Sequence, residues 1–281
     1  MSKTVVITGV SSGFGLATAA RLLACGYQVY GSVRKLADAQ KVSELLQSAA
    51  FTPLIFDVTD HDAVAAAAQR VAADLGGGRI TGLVNNAGVA PVGPLEHTPI
   101  QEVRNAFEVN VFGVLAVTQA FLPLLKRQSG SRDAAAGRIV NISSTSGIMT
   151  LPMLGVYAAS KFALESLNDG LRRELRRYGI QVIAIEPGSI RTEIWDKTPQ
   201  GVDLERFAGT EYATLMAQMP AAFERQLKNS KPISVVTDAI AHALEARKPR
   251  LRYPLDISWY AGKHLGDRLL DKIIRWQLPR G

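Results

Sequence analysis

The chain has a single cysteine, Cys25, among its 281 residues. It can therefore form no internal disulfide, and a reducing compartment, the cytoplasm, is expected. Cys25 reads as a small hydrophobe of the first helix. The four histidines, His61, His97, His242 and His264, are scattered and read as surface or packing residues, so no metal site is expected. No uninterrupted apolar stretch approaches the roughly 20 residues that cross a bilayer. The opening MSKTVVITG reads as a core strand and not as a secretory leader. The formal charge is +7, but the basic residues are spread out and no aromatic-basic motif accompanies them. That argues against a nucleic-acid surface and for a solvated basic surface, part of it suited to an anionic cofactor.

What is present is a core-forming chain: 47% hydrophobic residues against 20% charged. Short apolar runs alternate with amphipathic stretches. Strands are expected at Thr4 to Thr8, Gln28 to Val33, Leu54 to Val58, Ile80 to Val84, Arg138 to Ile142 and Gln181 to Glu186. Helices are expected at Gly13 to Cys25, Lys35 to Ser48, Ala63 to Leu75 (with Thr59 or Asp60 as N-cap), Ile100 to Arg127 and Val156 to Tyr178. The strands are continuous apolar runs, as strands buried on both faces should be. The expected fold is α/β, a doubly wound parallel sheet of the Rossmann type, with all of 1–281 in one domain. Residues 189–232 are expected to form a helical substrate lid. A helix over Ser234 to Arg247 and a short strand at Leu251 to Tyr253 should follow, and then a C-terminal extension, 254–281. Apolar positions of the tail from Ser258 to Leu278 have helical spacing, which suits packing on the protein's own body or a partner subunit; Lys263, Arg268, Lys272 and Arg275 make membrane contact the minority reading. Ser129 to Gly137 reads as a polar surface loop.

Two constellations carry chemistry. Gly9, Gly13 and Gly15 lie in the turn TGVSSGFG between the first strand and the first helix, with Ser11, Ser12 and Phe14 among them. Glycines there let the backbone approach a pyrophosphate at a helix N-terminus. Tyr157 and Lys161 lie four apart on one helix and share a face. An ammonium beside a phenol, together with a positive nicotinamide, is expected to lower the tyrosine's proton affinity and fit it for general acid/base work. At the end of the second strand, where an NAD enzyme usually places a carboxylate on the ribose hydroxyl, the chain has Val33 and then Arg34, so NADP(H) is expected, with Ser32 as an added donor.

The spacing TGxxxGxG, Asn85-Asn86-Ala87-Gly88, Asn110, Ser144, Tyr157-xxx-Lys161 and Pro187-Gly188-xxx-Thr192, in this order over residues 4 to about 192, resembles the short-chain dehydrogenase/reductase family. The resemblance implies that Asn110, Ser144, Tyr157 and Lys161 are catalytic, with Ser144 on the substrate oxygen and Asn110 holding a water that relays protons to Lys161. It further implies that Asp57 and Val58 border the adenine, that Asn85, Ala87 and Gly88 line the adenosine side and stabilise the central strand, and that the turn from Pro187 through Gly188 and Ile190 to Thr192 holds the nicotinamide. Lys161 should also bind the nicotinamide ribose.

Apolar residues before the tyrosine (Ile148, Met149, Leu151, Met153, Leu154), after the Pro-Gly turn (Ile190, Ile194, Trp195) and in the lid (Leu215, Met216, Met219, Phe223) suit a hydrophobic ketone, aldehyde or alcohol. Sequence stretches such as YGSVRKLAD resemble the hydroxysteroid and retinol dehydrogenase branch. A homodimer or homotetramer through the two long helices is expected on the same resemblance. The alternatives are a non-catalytic NADP(H)-binding scaffold and an NAD-linked alcohol dehydrogenase.

Overall fold

The computed structural model describes residues 3–126, 136–191, 205–228 and 230–275. Seven parallel strands form one sheet in the order β3-β2-β1-β4-β5-β6-β7: β1 (Lys3–Ile7), β2 (Tyr27–Val33), β3 (Phe51–Ile55), β4 (Gly82–Asn85), β5 (Arg138–Ile142), β6 (Gln181–Glu186) and β7 (Arg252–Pro254). Helices cover both faces, as the sequence led one to expect. On one face lie α1 (Gly13–Ala24), α2 (Leu36–Leu46) and α8 (Ser234–Glu245), packed on Val5, Ile7, Val29 and Val84. On the other lie α3 (His61–Asp74), α5 (Val114–Leu125) and α6 (Gly155–Leu175), packed on Val6, Leu83, Ile139 and Val182. Neighbouring residues of β1 thus belong to different layers. Val5, Val6 and Ile7 are all fully buried, each contributing about 1.5–3 kcal/mol of burial.

Two expected boundaries move. The third strand runs Phe51–Ile55, three residues before the expected Leu54 to Val58, because Val29 pairs with Phe51 and Val33 with Ile55. Pro53 sits inside it, which an edge strand bonded only to β2 tolerates. The long helix expected from Ile100 is two α-helical pieces, α4 (Ile100–Phe107) and α5, joined by a π-helical turn at Glu108–Gly113. This 26-residue run is long and apolar enough to cross a membrane by length and composition. Its Val117, Phe121 and Leu125 nevertheless pack fully buried on the sheet. Asp60, and not Thr59, caps α3, its carboxylate accepting from Ala63 N at 3.0 Å.

Of the expected lid, a 3-10 turn (Glu205–Phe207) and α7 (Ala213–Lys228) are described. The tail forms two helices, α9 (Ile257–His264) and α10 (Asp267–Arg275). Thr192, Ile194, Trp195, the loop residues 129–135 and the side chain of Phe223 lie outside the described residues.

Candidate active site

In this strand order the chain reverses direction across the sheet between β1 and β4, which opens a crevice at their C-terminal ends. The glycine turn sits there. Gly9 and Gly13 have φ of 71° and 56°, a region that disfavours side chains. A Cβ on Gly15 would lie 2.1 Å from Gly9 O. Ser12 is the N-cap of α1 but makes no side-chain cap bond, and no acidic residue occupies the first turn. The helix N-terminus therefore offers its N–H groups and positive dipole end without an opposing carboxylate, a fit for a pyrophosphate. Ser11 is exposed, Ser12 half-buried, and Phe14 packs against the core layer beneath α1.

The turn is braced by Thr8 and Asn86, which join the first and fourth strand ends. Thr8 Oγ1 accepts from Asn86 N at 2.9 Å and from Ala87 N at 3.0 Å. The Asn86 side chain donates to Thr8 O and Gly9 O at 2.8 and 3.0 Å. Ser32, expected as a cofactor donor, is instead buried and accepts from Gly9 N at 3.1 Å. Arg34 is exposed one residue past the end of β2, beside this turn, and no carboxylate stands at the strand end.

Several expected cofactor residues have their side chains engaged within the protein. The Asn85 side chain is buried and donates to Thr118 Oγ1 (3.0 Å) and Asn141 Oδ1 (2.8 Å), so it joins strands β4 and β5 to α5, the strand-stabilising part of its expected role. Asp57 accepts from Thr59 N and Thr59 Oγ1 in a local turn. Val58 is buried, and a Cβ on Gly113 of the π turn would lie 2.8 Å from its Cγ2. Ile190 is buried in the layer beneath α1 and α8, its strand-like bridge to Lys231 turning the side chain into the core. Pro187 is buried and Gly188 half-buried, with no room for a Cβ on Gly188 because Asp256 Cβ would lie 2.4 Å away.

Gly88 is exposed at the crevice, and a Cβ there would lie 3.1 Å from Asn110 Oδ1 and 3.8 Å from Lys161 Nζ. The Lys161 ammonium is buried, donates to Ile142 O at 2.9 Å, and lies 5.7 Å from the Tyr157 ring centroid. Burial lowers its pKa to about 8, opposed by the charge of Glu165. Burial raises the Tyr157 pKa, opposed by a hydrogen bond with Ser144. In the protein without cofactor the phenol is thus governed by its burial and, less, by Ser144, and not by the lysine. Ser144 Oγ also accepts from Ser146 N at 3.0 Å, which fixes its rotamer. The Asn110 side chain accepts from Val89 N (2.9 Å) and donates to Val89 O (2.8 Å) and Ser160 Oγ (2.9 Å). Its amide is thereby spent on tethering the Gly88–Val89 loop to α6, and the expected water cannot rest on those bonds.

Near the tyrosine, Leu154 and Val92 are buried together, with Leu151, Met153 and Met219 packed on them. Leu151, Met153, Leu154 and Met219 are among the residues expected near the substrate; Val92 is an addition to them. Met153 takes a left-handed φ of 65°, held by Gly93 N donating to its carbonyl at 2.8 Å. Met149 rests against Gly262 of α9, and Met216 is buried.

The sequence profile of the short chain dehydrogenase family matches residues 3–203. The chain is 43% identical over 283 residues to the NADPH-dependent 3-dehydrocapnine reductase of Ornithobacterium rhinotracheale, covering 99% of this chain and 98% of that protein. It is 32% identical to retinol dehydrogenase 5 of Mus musculus, covering 98% of this chain and 89% of that one. Among solved structures, a short-chain dehydrogenase from Streptomyces avermitilis superimposes with a TM-score of 0.76 at 29% identity, covering 99% of this chain and 96% of that one.

Proposed function

Because the chain belongs to the short chain dehydrogenase family, an oxidoreductase family, we propose that it is an NADPH-dependent reductase of a bulky hydrophobic ketone or aldehyde, with Tyr157 as the proton donor. The observation that carries this reading is the convergence of Ser144, Tyr157, Lys161 and Gly88 on one crevice beside the glycine turn. The name of the bacterial reductase relative supports NADPH and the direction of reaction. Arg34 supports it independently, since a guanidinium at the end of β2 can bind a 2′-phosphate in paired, charge-assisted hydrogen bonds.

Once bound, the cofactor supplies the hydride that adds to the carbonyl carbon. Ser144 donates to the carbonyl oxygen as charge develops on it. Tyr157 gives that oxygen its phenolic proton, so the products are the alcohol, the oxidised cofactor and a phenolate that regains a proton from solvent. A raised phenol pKa keeps Tyr157 protonated at neutral pH, the state that reduction requires. Lys161 holds positive charge beside the phenolate and reaches the cofactor ribose. Asn110 acts by fixing the Gly88–Val89 loop to α6. Leu151, Met153, Val92 and Met219 form an apolar wall for the substrate, all of 1–281 serves as one domain, and two copies pair through α5 and α6.

The test is oxidation of NADPH and NADH against a panel of long-chain and cyclic ketones, with Arg34→Ala alongside. The expected result is turnover with NADPH at least tenfold more efficient than with NADH, and loss of that preference in Arg34→Ala. An unchanged preference in the variant would remove Arg34 from the cofactor site.

A further inference from the structure

Behind the catalytic face lies a group of charges that the reaction itself does not use. The Arg252 guanidinium on β7 donates to the Glu165 carboxylate on α6, to Glu186 Oε1 at the end of β6 (2.9 Å) and to Asp169 Oδ1 on α6 (2.9 Å). Glu186 is fully buried, and the Glu165 side chain is only 8% exposed. Two buried carboxylates on one guanidinium are costly to fold around, because each ion gives up its hydration. Burial, then the Glu165 charge, push Glu186 well above the usual carboxylate range. Such an arrangement calls for a reason beyond stability.

Its placement supplies one. Glu165 is one helical turn beyond Lys161 on the same face of α6. Its stem lies beneath the turn that follows Ser144: a Cβ on Gly147 would meet Glu165 Cγ at 2.8 Å and Lys161 O at 3.2 Å. Glu186 immediately precedes the Pro187–Gly188 turn, and Pro187 O accepts from Thr145 N at 2.8 Å. Glu165 Oε1 is buried without a hydrogen-bond partner among the described residues, so its charge acts on its surroundings through space. We propose that Glu165, clamped by Arg252, is a positioning residue of the catalytic centre that supplies the counter-charge for the Lys161 ammonium. The same clamp ties α6 to the strand end bearing the Pro187–Gly188 turn. This inference rests on the reading of Lys161 as part of the catalytic pair.

Among the described residues, groups from several elements face the pair. Lys161 meets Tyr157 and Glu165 on its own helix, Ile142 O from β5, and the Gly88–Asn110 contact from the opposite wall. Glu165 meets Arg252 from β7 and Glu186 from β6, with Asp169 and its partner Arg172 one turn along α6. The Trp259 ring of α9 lies near Glu186 without a hydrogen bond to it. Lys161 titrates at about 8, with Glu165 as the influence that raises it, so removing the Glu165 charge moves the lysine further down.

The experiment compares wild type with Glu165→Gln, which keeps the volume and removes the charge. The Lys161 side chain is titrated by NMR with 13C-labelled lysine in the cofactor-free protein, its signal assigned by its loss in Lys161→Met, and the pH profile of kcat is recorded in parallel. The expected result is a Lys161 midpoint lower by about one unit and an alkaline limb of kcat that falls with it. Glu165→Asp, which keeps the charge and draws it back, should lie between the two and serves should the Gln variant not fold. A Lys161 midpoint that superimposes on wild type in the variant overturns the proposal. A midpoint that falls while the alkaline limb stays put upholds the counter-charge and overturns the catalytic reading beneath it.

Discussion

At Lys161 two demands conflict. The proposed catalysis wants an ammonium beside the Tyr157 phenol; folding wants no buried charge. The lysine's pKa, lowered to about 8 by burial, measures that conflict. A folded-state value below the unfolded one means that the native protein binds protons less readily. The contribution to stability is therefore present above about pH 10.5 and is lost as pH falls through 8. The penalty at neutral pH is on the order of 3 kcal/mol, offset by the bond to Ile142 O. Lys161→Met should accordingly raise the melting temperature at pH 7 by a few degrees while abolishing turnover, and the gain should shrink as pH rises through 8. A gain that is the same at pH 7 and pH 10 would show that packing, and not charge, is responsible. At this scale the sequence displayed Tyr157, Lys161 and Ser144 through their spacing. It hid Val92 and the Glu165–Arg252–Glu186 group, and it did not show that Ser32 turns inward to accept from Gly9 N. A Glu at the end of an apolar strand gives no sign of its partner until β7 is laid beside β6.

At the scale of elements, the glycine turn illustrates how a local rule is overridden. Ala in place of Gly near a helix start ordinarily stabilises by roughly 1 kcal/mol. At Gly15 the added methyl would sit 2.1 Å from Gly9 O, so the backbone of the turn must open. Gly15→Ala should lose NADPH binding, measured by quenching of tryptophan fluorescence, and lower the melting temperature. Unimpaired binding would mean that the turn does not cradle the cofactor. Elements were legible where a short apolar run bounded by polar residues or helical spacing decides, as in β1, β2, β5, β6 and α6. They were not where hydrogen bonding decides. The run PLIFDV is apolar enough to be a strand anywhere along its length, and only the pairing of Val33 with Ile55 ends it there. The π turn at Glu108–Gly113 has the same apolar spacing as the α-helix on either side, so its extra residue per turn left no trace in the pattern.

At the scale of the molecule, the outer faces of the π turn and of α6 expose Phe112 and Phe162, 49% and 44% open. Phe112, Leu115 and Ala116 line a shallow concavity beside His61 and Glu108. Two such faces brought together would bury both aromatics. The protein should run as a dimer by light scattering at micromolar concentration, and Phe112→Asp should shift it toward monomer; a wild-type monomer at every concentration would refute the pairing. The parallel sheet and its switch-point crevice follow from the βα alternation, and that much of the whole could be read from the chain. The meeting of Met219 with Met153, 66 positions apart, was expected from their apolar character; that Val92 completes the group was not, since β4 and the loop after it gave no sign of it. The most direct test of the account is Tyr157→Phe, with NADPH affinity and NADPH-dependent ketone reduction measured on the same preparation. The account predicts near-normal affinity and turnover reduced by about 10²–10⁴-fold. Turnover close to wild type in that variant would contradict it.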